Sequence, residues 1–231
     1  MSQTVNTQGI VLSRTNFGEA DRILTILTPD YGKRRLMAKG VRKERSKLAG
    51  GIELFSVSYV SYIPGRKEID TLISTRLNKH YGNIVKDVQR TMLGYELLKR
   101  LNRATEDAAD EEYFDLLTHT LAALDEPALS LDLVELWFNA QLLKLAGHLP
   151  NLKTDVAARK LAADKHYFFD SEAMAFREDQ NGDYDANHIK LVRLLFGSES
   201  PLPLKHLNDI QTSVMASRQI IRNALETYIR L

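Results

Sequence analysis

Arg22-Ile23-Leu24-Thr25-Ile26-Leu27-Thr28, closed by Pro29-Asp30-Tyr31-Gly32, is the stretch that decides the fold. β-Branched and apolar residues run together here and stop at a turn built around proline and glycine, which marks a strand rather than a helix. Similar runs lie on both sides. Val5 to Leu12 carries Gly9-Ile10-Val11-Leu12, and Leu36 to Val41 reads as a shorter third strand. In a fourth, Phe55, Val57 and Tyr59 alternate with Ser56 and Ser58; in a fifth, Ile69, Thr71, Ile73, Thr75 and Leu77 share one face. Turn signals fall between them at Asn16-Phe17-Gly18, Gly50-Gly51 and Pro64-Gly65. Five short strands in about 75 residues, with the longest break between the third and fourth, predict a small Greek-key barrel of the OB type. An SH3-like barrel has the same pattern.

From about residue 80 the apolar period becomes helical. Ile84, Val88, Met92, Tyr95 and Leu98 line one predicted face, with Lys86, Gln89, Arg90 and Lys99 largely off it. A second helix is marked by Tyr113, Leu117, Thr120, Leu121 and Leu124. A third, Leu129 to Ala146, is apolar almost all round and ends at Gly147, so it belongs at the centre of a core. After Pro150 the pattern is irregular, and Tyr167-Phe168-Phe169 with Met174-Ala175-Phe176 suggests a short hairpin. Helices resume at Ala186 to Phe196 and at Asn208 to Leu231, where Ile210, Val214, Ser217, Ile221, Ala224, Leu225 and Tyr228 make a stripe. The expected fold class is α+β. An N-terminal OB-fold β-barrel over residues 1–79 precedes a mainly α-helical C-terminal domain over 80–231, with a short irregular or hairpin insert near 152–177.

The 231 residues are 44% hydrophobic and 26% charged, which suits an ordinary globular chain able to bury a core without staples. The absence of cysteine excludes disulfides, thiol nucleophiles, iron–sulfur clusters and cysteine-based zinc sites. The six histidines form neither HxH nor HExxH spacing, so no metal and no other cofactor is expected. No apolar run is long enough to span a membrane, and the start Met1-Ser2-Gln3-Thr4-Val5-Asn6 lacks the pattern of a signal peptide; the expected compartment is the cytoplasm. No phosphate-cradling loop, nucleophile elbow or other catalytic constellation is present, so no catalytic residue is assigned and the chain is not expected to be an enzyme. Acidic pairs such as Glu111-Glu112 are explained by a helix start.

The net charge of +1 hides an asymmetry: residues 1–80 carry 14 Lys and Arg against 7 Asp and Glu. The densest part is Lys33-Arg34-Arg35-Leu36-Met37-Ala38-Lys39-Gly40-Val41-Arg42-Lys43-Glu44-Arg45-Ser46-Lys47, eight bases against one acid. Most basic runs are solvated loops. This one is flanked by Gly40 and Gly50-Gly51 and extends a barrel whose sheet face and loops suit single strands. Cations on phosphates release condensed counterions and bind with little regard to sequence. The predicted DNA-binding residues are Arg14, Arg34, Arg35, Lys39, Arg42, Lys43, Arg45 and Lys47, projecting together from one barrel wall, with Arg22, Arg66, Lys67 and Arg76 able to widen the patch. Phe17, Tyr59 and Tyr62 offer stacking platforms, although each is better explained as a core or structural aromatic. Glu19 and Asp21 are read as structural, because acids beside a phosphate path repel it; the role of Arg22 is open.

At these residues the chain resembles the RecO family of bacterial DNA-repair proteins. The likeness is carried by Gly9-Ile10-Val11-Leu12, Phe17-Gly18-Glu19-Ala20-Asp21-Arg22-Ile23-Leu24-Thr25, Tyr31-Gly32-Lys33, Ala38-Lys39-Gly40-Val41-Arg42 and Ser46-Lys47-Leu48-Ala49-Gly50. It continues more weakly through Leu54-Phe55 and Tyr95-Glu96-Leu97-Leu98. The resemblance implies an OB-fold followed by a helical domain. It also implies a recombination mediator that binds single- and double-stranded DNA, anneals complementary strands, and assists RecA loading with RecR and single-stranded-DNA-binding protein in the bacterial nucleoid. Many members carry a four-cysteine zinc module in the C-terminal half. This chain has none, and Leu152 to Phe176 occupies that place with apolar residues instead. Lys99, Arg100 and Arg103, or Arg218 and Arg222, are candidate cations for a protein partner. The alternative reading is an OB-fold RNA-binding or ribosome-associated protein, for which the same patch would serve.

Overall fold

The computed structural model describes residues 3–65, 68–105, 110–207 and 211–229. Arg66, Lys67, Asn208 and Ile210 lie outside these described residues. The chain divides into two compact units, Met1–Asp125 and Glu126–Leu231.

The first unit is built on β1 (Val5–Phe17), β2 (Asp21–Thr28), β3 (Gly32–Ala38), β4 (Ser56–Ile63) and β5 (Asp70–His80). They close into a barrel in the order β1-β2-β3-β5-β4, with β4 returning antiparallel to β1 and β3 meeting β5 in parallel. That order is the OB type; full closure leaves no open edge in the barrel. Leu24, Ile26, Leu36, Val60, Tyr62 and Leu72 fill the interior.

Three of the strands, β3, β4 and β5, differ in detail from those expected. β3 begins at Gly32 rather than Leu36 and ends at Ala38, because its pairing with β2, from Thr28↔Gly32 to Arg22↔Ala38, sets its limits. The charges of Lys33, Arg34 and Arg35 hide it from a hydrophobicity reading. On β4 the inward residues are Ser58, Val60 and Tyr62, while Tyr59 faces out. Phe55 is not on the strand at all; it is buried at φ 58 just before it. On β5 the register shifts between Ser61↔Ser74 and Tyr62↔Leu72, so Leu72 is buried and Ile73 exposed. A bulge of this kind breaks the period of two on which the expected face rested.

Two helices follow within this unit, α1 (Val88–Ala104) and α2 (Glu111–Asp125). Asp87 caps α1 by accepting from the Arg90 backbone N–H. The buried face of α1 is Gly94, Leu97, Leu98 and Leu101; of the predicted stripe Ile84 and Leu98 are buried, whereas Val88, Met92 and Tyr95 are exposed. Gly94 is required because Phe55 sits against it, where an added Cβ would lie 2.7 Å from the ring. Arg90 is buried, with Nη1 donating to the Leu124 carbonyl at 2.9 Å.

The second unit holds α3 (Leu131–Leu145), β6 (Asn151–Asp155), β7 (Tyr167–Asp170), β8 (Ala175–Glu178), α4 (Ala186–Gly197) and α5 (Gln211–Tyr228). α3 is its buried centre, as its composition required, and Trp137 donates Nε1–H to the Ser198 carbonyl. The β7–β8 hairpin is present, and β6 joins β8 in parallel to complete a three-stranded sheet. Tyr167, Phe176 and Tyr184 are buried around it with edge-on rings.

Candidate nucleic-acid interface

The basic run begins on β3, where successive side chains leave opposite faces of the sheet. Lys33 Nζ donates to the Asn102 and Thr105 carbonyls at the C-terminal end of α1, a position that favours a cation. Arg35 leaves the same face and stands opposite Thr25 of β2, exposed. Arg34 leaves the other face, where Nε donates to the Tyr31 carbonyl at 3.1 Å. Burial pushes the nearby Tyr62 hydroxyl above its ordinary range, and the Arg34 charge opposes that shift. Arg14 Nη1 meets Glu53 Oε2 at 3.0 Å. The expectation that all eight bases share one wall therefore does not hold: the pleat separates Arg34 from Arg35, and Glu53 neutralises Arg14.

The connection from Lys39 to Lys47 is different. It is tied to the β1–β2 turn by the Gly40 N–H on Asp21 Oδ1 (2.7 Å), the Arg42 N–H on the Ala20 carbonyl (2.9 Å) and Arg42 Nη1 on the Gly18 carbonyl (3.2 Å). Lys43 and Ser46 continue it as turns, donating their N–H groups to the Gly40 and Lys43 carbonyls. Val41 points into the barrel core. Gly40 has φ +64, a left-handed conformation that costs an ordinary L-residue about 1–2 kcal/mol. The segment is thus a folded platform. Gly51, at its far end, is buried against Thr75 of β5 instead of clearing space for a ligand.

Lys39, Arg42, Lys43, Arg45 and Lys47 are all exposed on this platform, and none has a carboxylate within ion-pair distance among the described residues. Asp21 has the structural role expected of it. Arg22, left open by the sequence, donates Nε–H to Asn16 Oδ1 at 3.1 Å and braces the same hairpin. Of the three possible stacking aromatics, Tyr62 is buried and Tyr59 lies beneath Arg76, whose Cζ is 4.8 Å from the ring centroid. Phe17 is 52% exposed at the hairpin tip, contrary to the structural role expected. A bulky aromatic inside the turn signal Asn16-Phe17-Gly18 was the sequence feature that marked it.

Two further features lie apart from this platform. A cavity of about 620 Å³ between the barrel wall and α2 is lined by Tyr59 and Arg76 but also by Asp30, Glu111 and Asp115. Three carboxylates there repel phosphate, so the cavity does not extend a polyanion track. On α5, Arg218 pairs with Asp132 and Arg222 with Glu226. Among the described residues no cluster of three metal-binding side chains occurs, and no helix is long and apolar enough to cross a membrane.

A closed OB-type barrel bearing a folded cationic platform, followed by a helical region, defines the class. Within it, the family model described as Recombination protein O N terminal matches residues 1–81, and the one described as Recombination protein O C terminal matches residues 91–231. The chain belongs to the RecO family. It is 33% identical over 230 residues to the DNA repair protein RecO of a strain of Dehalococcoides mccartyi, covering 95% of this chain and 90% of that protein. It is 27% identical over 208 residues to the DNA repair protein RecO of Alkaliphilus metalliredigens, covering 90% and 84%.

Proposed function

We propose that this protein is a non-enzymatic DNA-repair mediator that binds single- and double-stranded DNA through the Lys39–Lys47 platform and promotes annealing of complementary strands. The observation that carries the reading is the anchoring of five carboxylate-free cations to the β1–β2 hairpin by three hydrogen bonds. A fixed cationic surface lowers the repulsion between two phosphate backbones without ordering a loop at the moment of binding. Arg35, and Arg34 from the opposite face, add charge at longer range. Membership of the RecO family supports a mediator that works with RecR and single-stranded-DNA-binding protein to load RecA near the nucleoid.

An annealing assay with complementary oligonucleotides tests this directly. Strands are expected to pair faster with the protein than without it, and the gain is expected to vanish in the variant K43E/R45E/K47E. Equal rates with and without the wild-type protein would remove the mediator reading.

A further inference from the structure

We infer that Phe17 is a base-stacking residue that makes the platform prefer single strands to duplexes, an inference that rests on the proposed DNA-binding role of that platform. Among the described residues, three Phe or Tyr side chains are exposed on the barrel: Phe17, Tyr31 and Tyr59. Tyr31 meets Tyr62 edge-on, and Tyr59 is covered by Arg76. Phe17 has no ring or cation partner among the described residues, and half of its surface is open to water.

Its position is fixed by the same bonds that hold the cations. Phe17 stands directly opposite Asp21 across the hairpin, and residues paired in this way place their side chains on one face. Asp21 uses that face to accept the Gly40 N–H, so Phe17 emerges on the side where the platform is attached. Its neighbour Gly18 offers its carbonyl to the Arg42 guanidinium. The Arg42 guanidinium is thereby anchored on the residue next to the one that carries the open phenyl ring.

Such a pairing suits a strand whose bases are unstacked. A phenyl ring gains about five- to hundredfold in affinity for each base it stacks upon, with little dependence on base identity. In a duplex the base faces are already buried against one another, and the ring has nothing to cover unless the helix is opened. The platform's cations act on both substrates alike; the ring acts on one.

The test compares Phe17→Ala and Phe17→Trp with the wild-type chain, using a single strand and a blunt duplex of equal length at one salt concentration. Phe17→Ala is expected to weaken single-strand binding at least about fivefold, to leave duplex binding within about twofold, and to keep the salt slope of both. Phe17→Trp is expected to restore the single-strand affinity. A 2-aminopurine probe in the strand should be quenched by the wild-type chain and less so by Phe17→Ala. An equal fall for both substrates, or no fall for either, overturns the stacking role. The variant K43E/R45E/K47E tests the platform separately: if it keeps full affinity for both substrates, the platform reading fails, and the selectivity assigned here fails with it.

Discussion

Asp21 supplies the one side-chain acceptor among the three bonds that tie the platform to the hairpin, taking the Gly40 N–H on its carboxylate. Replacing it with alanine removes that acceptor and strands a partly buried N–H, at a cost of about 1–2 kcal/mol. Urea denaturation is expected to show the loss for Asp21→Ala and to show most of it recovered in Asp21→Asn, which keeps an acceptor oxygen. Equal stability of the wild type and Asp21→Ala would show that the bond contributes nothing. The structural role of Asp21 was legible in the sequence because an acid beside a basic run serves a phosphate track poorly. The separation of Arg34 from Arg35 was not: a strand hidden by its own charges gives no period from which to read faces. Nor was the pairing of Arg14 with Glu53, which lie 39 positions apart.

At the scale of elements, the small sheet β6–β8–β7 is braced by carboxylates held in place by backbone N–H groups and arginines. Asp155 is buried at the end of β6. Burial by itself would raise its carboxyl pKa, but the Arg159 backbone N–H and guanidinium and the Ala157 N–H override this and hold it below the usual range. Asp170 on β7 is likewise held low by the Ala173 N–H and by Arg177. A carboxyl with a depressed folded-state pKa stabilises the fold above its unfolded pKa, and that stabilisation disappears as the pH falls through the folded value. Thermal melts of the full chain are therefore expected to lose stability below about pH 4, with a shallower loss in Asp155→Asn. An equally steep acid profile in that variant would contradict this account of the sheet.

The hairpin itself was legible from the aromatic triplet Tyr167-Phe168-Phe169 and the apolar triplet Met174-Ala175-Phe176, whereas the parallel partner β6 was not, because Asn151-Leu152-Lys153-Thr154-Asp155 carries no apolar alternation. The face of α1 was misread for a related reason. Gly94 counts for nothing in an apolar periodicity, yet the Phe55 ring beside it sets which side of the helix is buried.

Across the whole molecule, the sequence predicted a small barrel of the OB type and then helices, although the strand pattern alone does not separate OB from SH3-like barrels. What separates them is the parallel contact of Leu36 and Met37 with Asp70 and Thr71, more than thirty positions away. No local pattern encodes such a pairing. The charge asymmetry of the first 80 residues pointed to the proposed DNA-binding face, and the structure confines the exposed, carboxylate-free cations on the hairpin-anchored segment to Lys39–Lys47.

That confinement makes the electrostatic claim quantitative. Five cations engaging five phosphates of a single strand predict a slope of log affinity against log salt of about −3.5. Reversal of Lys43, Arg45 and Lys47 to glutamate, whose native side chains make no hydrogen bond among the described residues, should reduce its magnitude to about 1.4 or less. Fluorescence-anisotropy titrations of a labelled oligonucleotide over a salt series measure both slopes. A steep wild-type slope that collapses in the variant is the predicted result; a wild-type affinity indifferent to salt, or a slope unchanged by the reversals, would contradict the account.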